Sequence, residues 1–175
     1  GLSVLLIGGF GNSDWQQFGG TQYAKVIENS LWGVPPALDM DYEKRVQETV
    51  RTLVRERIVS TAHDLGEGGL AVAVAEASFG PARIGADLEL DSNLPSELAL
   101  FHEGPSRILV ATGDPEGVIL AARKNGVEAL KIGVTVSGIV RISKPDSVLM
   151  EASISELFEP WSEYLPGVFQ AAVIS

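Results

Sequence analysis

The groups best suited to chemistry lie in Ser60-Thr61-Ala62-His63-Asp64-Leu65-Gly66-Glu67-Gly68-Gly69-Leu70-Ala71. A predicted strand delivers a histidine and an aspartate into a glycine-rich turn, and an alanine-rich helix starts at once. Glycines let the backbone approach a ligand closely, and a helix N-terminus offers N–H groups with no internal partner, so the pattern suits a phosphate. Asp64 would repel a bare phosphate; a Mg²⁺ ion held by Asp64 and bridging to the phosphates removes that conflict. Gly66, Gly68 and Gly69 are therefore phosphate candidates, and Asp64 is the metal candidate. The competing structural reading has Asp64 capping the helix and the glycines forming a tight turn. Gly66-Glu67-Gly68-Gly69-Leu70-Ala71 also fits the dinucleotide-binding fingerprint, with Asp87 about 20 residues further on. The short acidic strand predicted at 84–90, and the charge of Glu67 inside the turn, argue against that site.

A second constellation is Phe101-His102-Glu103-Gly104-Pro105-Ser106-Arg107, a loop running straight into a strand. Arg107 can fork onto a phosphate or a carboxylate, and the structural alternative is an ion pair with Glu103 or Asp64. A third, Gly19-Gly20-Thr21-Gln22-Tyr23, is a glycine turn whose helix N-terminus could face an anion. The chain has no cysteine, which excludes disulfides, thiolate metal sites and cysteine nucleophiles. Its two histidines, His63 and His102, cannot alone complete a zinc site. With 13 basic and 23 acidic side chains the net charge is −10, so no nucleic-acid partner is expected. No apolar run approaches a membrane span, so no membrane association is expected. Trp15, Trp32 and Trp161 read as core or interface anchors.

The elements that must position these groups follow from periodicity and punctuation. Leu2 to Ile7 reads as a buried strand ending at Gly8-Gly9, and residues 10 to 20 as irregular chain. Thr21 is expected to cap a helix through Asn29. A helix from Asp39 or Asp41 to about Arg57 buries Val46, Val50, Leu53, Val54 and Ile58 and leaves Glu43, Arg45, Arg51 and Arg55 wet. A strand at 58–62, a helix at 70–78, a strand at 84–90 and a short helix at 96–102 come next. They are followed by a strand at 107–112, a helix at 115–124 stopped by Gly126, strands within 130–142 and at 148–152, and a helix at 154–164 broken by Pro160. Several strands follow one another without a helix. The expected class is therefore α+β, a mixed, partly antiparallel sheet covered by helices. The 175 residues suit a single domain, and their start in mid-strand suggests a fragment of a longer chain.

Together the three constellations resemble the synthetase subunit of phosphoribosylformylglycinamidine synthase (PurL). The run from Thr61 to Ala73 is similar to its Ser-Ala-His-Asp-x-Ser-Asp-Gly-Gly-Leu-Ala-Val-Ala. Gly19 to Tyr23 resembles its Gly-Gly-Ser-Glu-Tyr, and Glu103 to Arg107 its Glu-Ser-Pro-Ser-Arg. The three occur in the family's order, and the resemblance covers nearly the whole chain. Gly66 stands where the family has serine, Glu67 where it has aspartate, and Gln22 where it has glutamate. The resemblance implies the C-terminal domain of the second aminoimidazole-ribonucleotide-synthetase-like unit, spanning 1–175, with a partly ferredoxin-like fold. It implies a cytoplasmic ligase of purine biosynthesis that uses ATP and Mg²⁺, with no catalytic residue in this part and no activity of this part alone. Asp64 matches the family's metal ligand beside an auxiliary ATP or ADP. Gly19, Gly20, Gly66, Gly68, Gly69 and Arg107 are then nucleotide or phosphate candidates, and Glu103 and Ser106 substrate-loop candidates. The implied partners are the enzyme's N-terminal domains, a glutaminase subunit supplying ammonia, and a small accessory subunit. The alternatives are a non-catalytic nucleotide-binding or oligomerisation module, or another superfamily member such as a selenophosphate synthetase or hydrogenase-maturation domain.

Overall fold

The structure, a computed structural model, describes residues 1–9, 14–90 and 93–174, with side chains of the last helix described through Tyr164. The irregular chain expected at Phe10, Gly11, Asn12 and Ser13 lies outside the described residues. The strands are β1 (Ser3–Ile7), β2 (Thr61–Asp64), β3 (Ile84–Glu89), β4 (Ile108–Thr112), β5 (Ala129–Ser137), β6 (Ile139–Lys144) and β7 (Ser147–Ser153). Among the described residues they form one seven-stranded sheet in the order β2-β4-β1-β5-β3-β6-β7. Every neighbouring pair is antiparallel except β3 with β6, which is parallel. The mixed α+β sheet expected from the sequence is present.

The helices are α1 (Gln22–Val26), α2 (Met40–Arg55), α3 (Gly69–Ala77), α4 (Ser96–Phe101), α5 (Pro115–Lys124) and α6 (Ile154–Ile174). The apolar run of β1 has a simple cause: both of its faces are covered. Val4 and Leu6 join the cluster of Leu70, Val74, Leu88, Leu100, Ile142 and Ile154 beneath α3, α4 and the start of α6. Leu5 and Ile7 point the other way, into Val46, Leu53, Val110, Val118 and Ala122 beneath α2 and α5. The alanines of α3 let this helix sit close, with Gly69, Leu70, Ala71, Ala73 and Val74 all buried.

Helix starts follow their capping chemistry. The Asp39 carboxylate accepts the Asp41 and Tyr42 N–H groups, each at 3.0 Å, and the Tyr42 bond leads in holding its pKa below the usual carboxylate value. The Thr21 hydroxyl accepts the Ala24 N–H, and the Asp114 carboxylate that of Gly117 ahead of Pro115. Some boundaries differ from expectation. The strand expected at 58–62 is β2 at 61–64, because pairing with β4 sets Thr61 opposite Ala111 and Asp64 opposite Ile108. The helix expected to break at Pro160 continues to Ile174. Pro160 is exposed, so the Glu156 carbonyl that loses an N–H partner can be hydrated. Gly138, at φ +81°, separates β5 from β6. Trp15 and Trp161 lie mostly on the surface rather than in the core. Among the described residues no helix is long and apolar enough to cross a membrane.

Candidate functional site

One end of the sheet gathers the motifs. Asp64 closes β2 opposite Ile108 at the start of β4, and the Leu65 N–H donates to the Arg107 carbonyl at 3.0 Å. β1 ends on the same level, and Gly8 and Gly9 lie against Ser106 and Arg107: a Cβ on Gly9 would stand 2.1 Å from the Arg107 Cγ. Antiparallel pairing thus brings the second motif, about forty residues downstream, beside the first.

Glu103 joins all three. Its Oε1 accepts the Gly68 N–H at 2.7 Å and the Gln22 N–H at 2.9 Å, so one carboxylate oxygen serves the starts of α3 and α1. Asp64 does not cap α3, contrary to the structural alternative: Gly68 occupies the cap position in left-handed geometry, and the anion comes from Glu103. Gly69 is also left-handed, at φ +62°. Here α3 begins against the end of α4, and a Cβ on Gly69 would fall 2.8 Å from the His102 carbonyl oxygen. Gly19 allows an equally close approach to Trp32, whereas Gly20 faces open space. Gly19, Gly20 and Glu103 line a cleft of about 310 Å³ with Thr21 and Trp32.

Asp64 borders two other clefts. One, about 230 Å³, holds His63, Gly66, Glu67 and Glu76; the other, about 440 Å³, holds Glu43, Gln47, Ser106 and Arg107. Among the described residues the Asp64 carboxylate has no hydrogen-bond or ion-pair partner. His63 is turned aside, its Nδ1 2.7 Å from the Asp64 carbonyl oxygen and its Nε2 3.7 Å from Glu76. Arg107 runs inward: Nη1 donates to the His102 carbonyl at 2.9 Å, while Nε is buried without a partner. Burial pulls its pKa down to about 10, so the guanidinium stays charged at neutral pH. Arg107 makes no ion pair with Glu103, Asp64 or any other described residue, so the salt-bridge alternative is not realised.

The sequence comparisons decide the family. Residues 1–142 match the model described as AIR synthase related protein, C-terminal domain. The chain belongs to this family. Two relatives named phosphoribosylformylglycinamidine synthase subunit PurL are similar to it. That of Moorella thermoacetica is 39% identical over 87% of this chain and 21% of its own length. That of Methylocella silvestris is 37% identical over 99% of this chain and 23% of its own length. The chain therefore spans about a fifth of the length of these relatives. A solved structure described as T. maritima PurL complexed with FGAR shares the fold, with a TM-score of 0.75 at 21% identity over 90% of this chain and 28% of that one.

For this C-terminal domain the dinucleotide fingerprint is excluded by topology: β2 is an edge strand, and β3 lies across the sheet from it, so no βαβ unit encloses the glycines. Two contributors were not legible. Glu43 accepts the Ser106 hydroxyl at 2.5 Å and the Gln47 amide at 2.6 Å, holding Ser106 in left-handed geometry at φ +61°. Its partner is 63 residues away, and on a helical wheel it is merely on the wet side. His102 sits in the quoted loop, yet its role is structural. It is buried, and its Nδ1 accepts the Gly104 N–H at 2.8 Å, which places the ring proton on a partnerless, buried Nε2. Burial first, then the charge of Arg107, hold its pKa below the usual value, against a smaller pull from Asp14. Above about pH 6.5 the ring is neutral folded and unfolded, and its packing contributes in full. Below that pH the unfolded chain takes up a proton that the folded chain resists, so stability falls until the folded ring itself titrates. The urea midpoint should therefore drop more between about pH 7.5 and pH 5 for the native chain than for His102→Gln.

Proposed function

We propose that residues 1–175 are a C-terminal domain of an ATP-dependent ligase that converts formylglycinamide ribonucleotide to formylglycinamidine ribonucleotide. In that reaction ATP phosphorylates the glycinamide carbonyl oxygen and leaves as ADP, ammonia adds at that carbon, and the oxygen departs with phosphate, so that the amide becomes an amidine and the formyl group is retained. The names of the relatives support this reading, as do structures of the same fold described as complexed with FGAR, ATP and ADP. A glutaminase subunit would supply ammonia, which suits a chain without cysteine, and a small accessory subunit would complete the assembly. A structure named PurLQS from Thermotoga maritima supports such a complex. The protein would work in the cytoplasm, and this domain alone would be inactive.

The observation that carries the site assignment is the free carboxylate of Asp64 between two clefts. Among the described residues no three His, Asp or Glu side chains are grouped to hold a metal. Mg²⁺ commonly takes only one or two carboxylates and draws its other ligands from phosphates and water, so Asp64 alone could serve as its protein ligand. Asp64 would hold the ion, Gly66 and Gly20 would leave room for phosphates, and Arg107 would neutralise charge from the Ser106 side. Gly68, Gly69 and Gly19 would shape the turns around them.

Calorimetry on the full-length protein with ADP and Mg²⁺ tests this. Asp64→Ala should weaken Mg²⁺-dependent ADP binding by at least tenfold and leave the fold intact; unchanged binding would refute the metal role. One observation favours a second reading, a purely architectural module. Glu103 already fills the two N–H groups that a phosphate would use. Under that reading neither the native protein nor Asp64→Ala binds ADP at this site.

A further inference from the structure

The cleft between Gly19 and Trp32 differs in chemistry from the two clefts that Asp64 borders. Its volume of about 310 Å³ lies at the lower end of the roughly 300–1,000 Å³ usual for small-molecule sites. Leu31, Trp32, Val34, Pro35 and Pro36 make most of its wall apolar, and Glu103 is the one charged side chain among the described residues that line it. Neither Lys25, exposed on α1, nor Arg107 belongs to that wall. A phosphate or carboxylate here would therefore face a carboxylate with no cation to offset it, which disfavours an anion. The Trp32 ring is held in place. Its indole N–H donates to the Trp15 carbonyl at 3.1 Å, and the Trp32 backbone N–H to the Gly19 carbonyl at 3.3 Å. A Cβ on Gly19 would stand 2.6 Å from the ring carbons Cγ and Cδ2, so the missing side chain lets the ring settle against the backbone. With its polar edge already bonded, Trp32 is still 36% exposed. What it offers the cleft is aromatic surface, on which any flat ring can stack.

The polar groups left over in the wall are acceptors. Glu103 Oε1 is used twice, by the Gly68 and Gln22 N–H groups, whereas Oε2 has no partner among the described residues. The Gln17 side-chain amide, also in the wall, has none either. The Thr21 hydroxyl is already taken by the Ala24 N–H. An ionised carboxylate can only accept, and the glutamine amide accepts through its oxygen. The complement of this wall is flat, uncharged and carries N–H donors on its edge. We propose that the cleft seats a planar nitrogen ring bearing an exocyclic amino group, the chemistry of an aminopurine, stacked on Trp32 with its amino group toward Glu103 and Gln17. Two sources carry such a ring. One is the base of a nucleotide whose phosphates reach Asp64, which rests on the functional reading above; the other is a free base or nucleoside, which does not.

The probe is 2-aminopurine riboside, whose fluorescence falls when its ring stacks, titrated without Mg²⁺ into the full-length protein. Saturable quenching is expected. Trp32→Leu should weaken it by about tenfold or more, whereas Trp32→Phe, which keeps a ring, should retain most of the affinity. Trp161→Leu, on α6, should leave it unchanged. Purine riboside, which differs from the probe only in lacking the amino group, should displace it with about fivefold lower affinity than the probe's own, and Gln17→Leu should narrow that gap. No saturable quenching, equal affinity in the native protein and Trp32→Leu, or equal affinity for the two ribosides would each overturn the proposal. Displacement by ADP with Mg²⁺ separates the sources. If ADP outcompetes adenosine and Asp64→Ala removes the advantage, the ring belongs to a nucleotide; if the two compete equally, the seat serves a free base or nucleoside. Either result supports the seat, and only that last arm bears on the functional reading.

Discussion

Gly69→Ala should unfold at much lower urea than the native chain, with a loss of about 2–5 kcal/mol. An L-residue held in left-handed geometry costs about 1–2 kcal/mol, and Gly69 has φ +62°. The new methyl would also meet backbone, not a side chain that can swing away: the His102 oxygen and Phe101 carbonyl carbon at 2.8 Å and the Leu100 oxygen at 2.9 Å. Overpacking of that kind costs about 1–3 kcal/mol more. Relief requires α3 to back away from α4, which draws the Gly68 N–H off Glu103, so damage at the packing position reaches the site. Gly20→Ala is the control, since nothing lies within 4 Å of its Cβ position and its backbone is not left-handed. Its urea midpoint should stay within about 0.5 kcal/mol of native. Similar losses for the two variants would refute the argument.

Glu103→Ala should cost about 3 kcal/mol, and Glu103→Gln about half of that. Hydrogen bonds to a charged partner contribute roughly 1.5–3 kcal/mol each, and removing the acceptor also strands two donors. Glutamine keeps an acceptor but loses the charge that favours two helix starts. The decisive reading is local: in nuclear magnetic resonance the Gln22 and Gly68 amides should shift together in either variant, although they lie far apart in sequence. If only one amide moved, the shared oxygen would not be what links α1 to α3.

The sequence carried the elements whose cause is local. Alternation, capping residues and stops located the strands and helices, because Asp39, Thr21, Pro115 and Gly126 act on their own neighbours. The motifs were legible as glycines, carboxylates and an arginine at suggestive spacings. What they would do to one another was not. The reading of Gly68 as a phosphate donor could not include Glu103, because nothing local places an anion 35 residues away on that N–H. Arg107 looked like half of an ion pair, and only the third dimension shows its Nε buried without a partner. Pro160 misled for the opposite reason: its cost is local, but hydration of the orphaned carbonyl offsets part of it.

The position of β1 in the interior of the sheet has a consequence for synthesis. Its first residue, Ser3, pairs with Thr112 on one side and Val134 on the other. At a translation rate of roughly 5–20 residues per second, the strand emerges roughly 7–26 s before both neighbours exist. During that interval an apolar segment with two open edges has no native place to go. Contacts so distant along the chain also slow folding after release. Whatever holds β1 in solution until β5 arrives, whether earlier parts of a longer polypeptide or a chaperone, protects the least replaceable strand of the sheet.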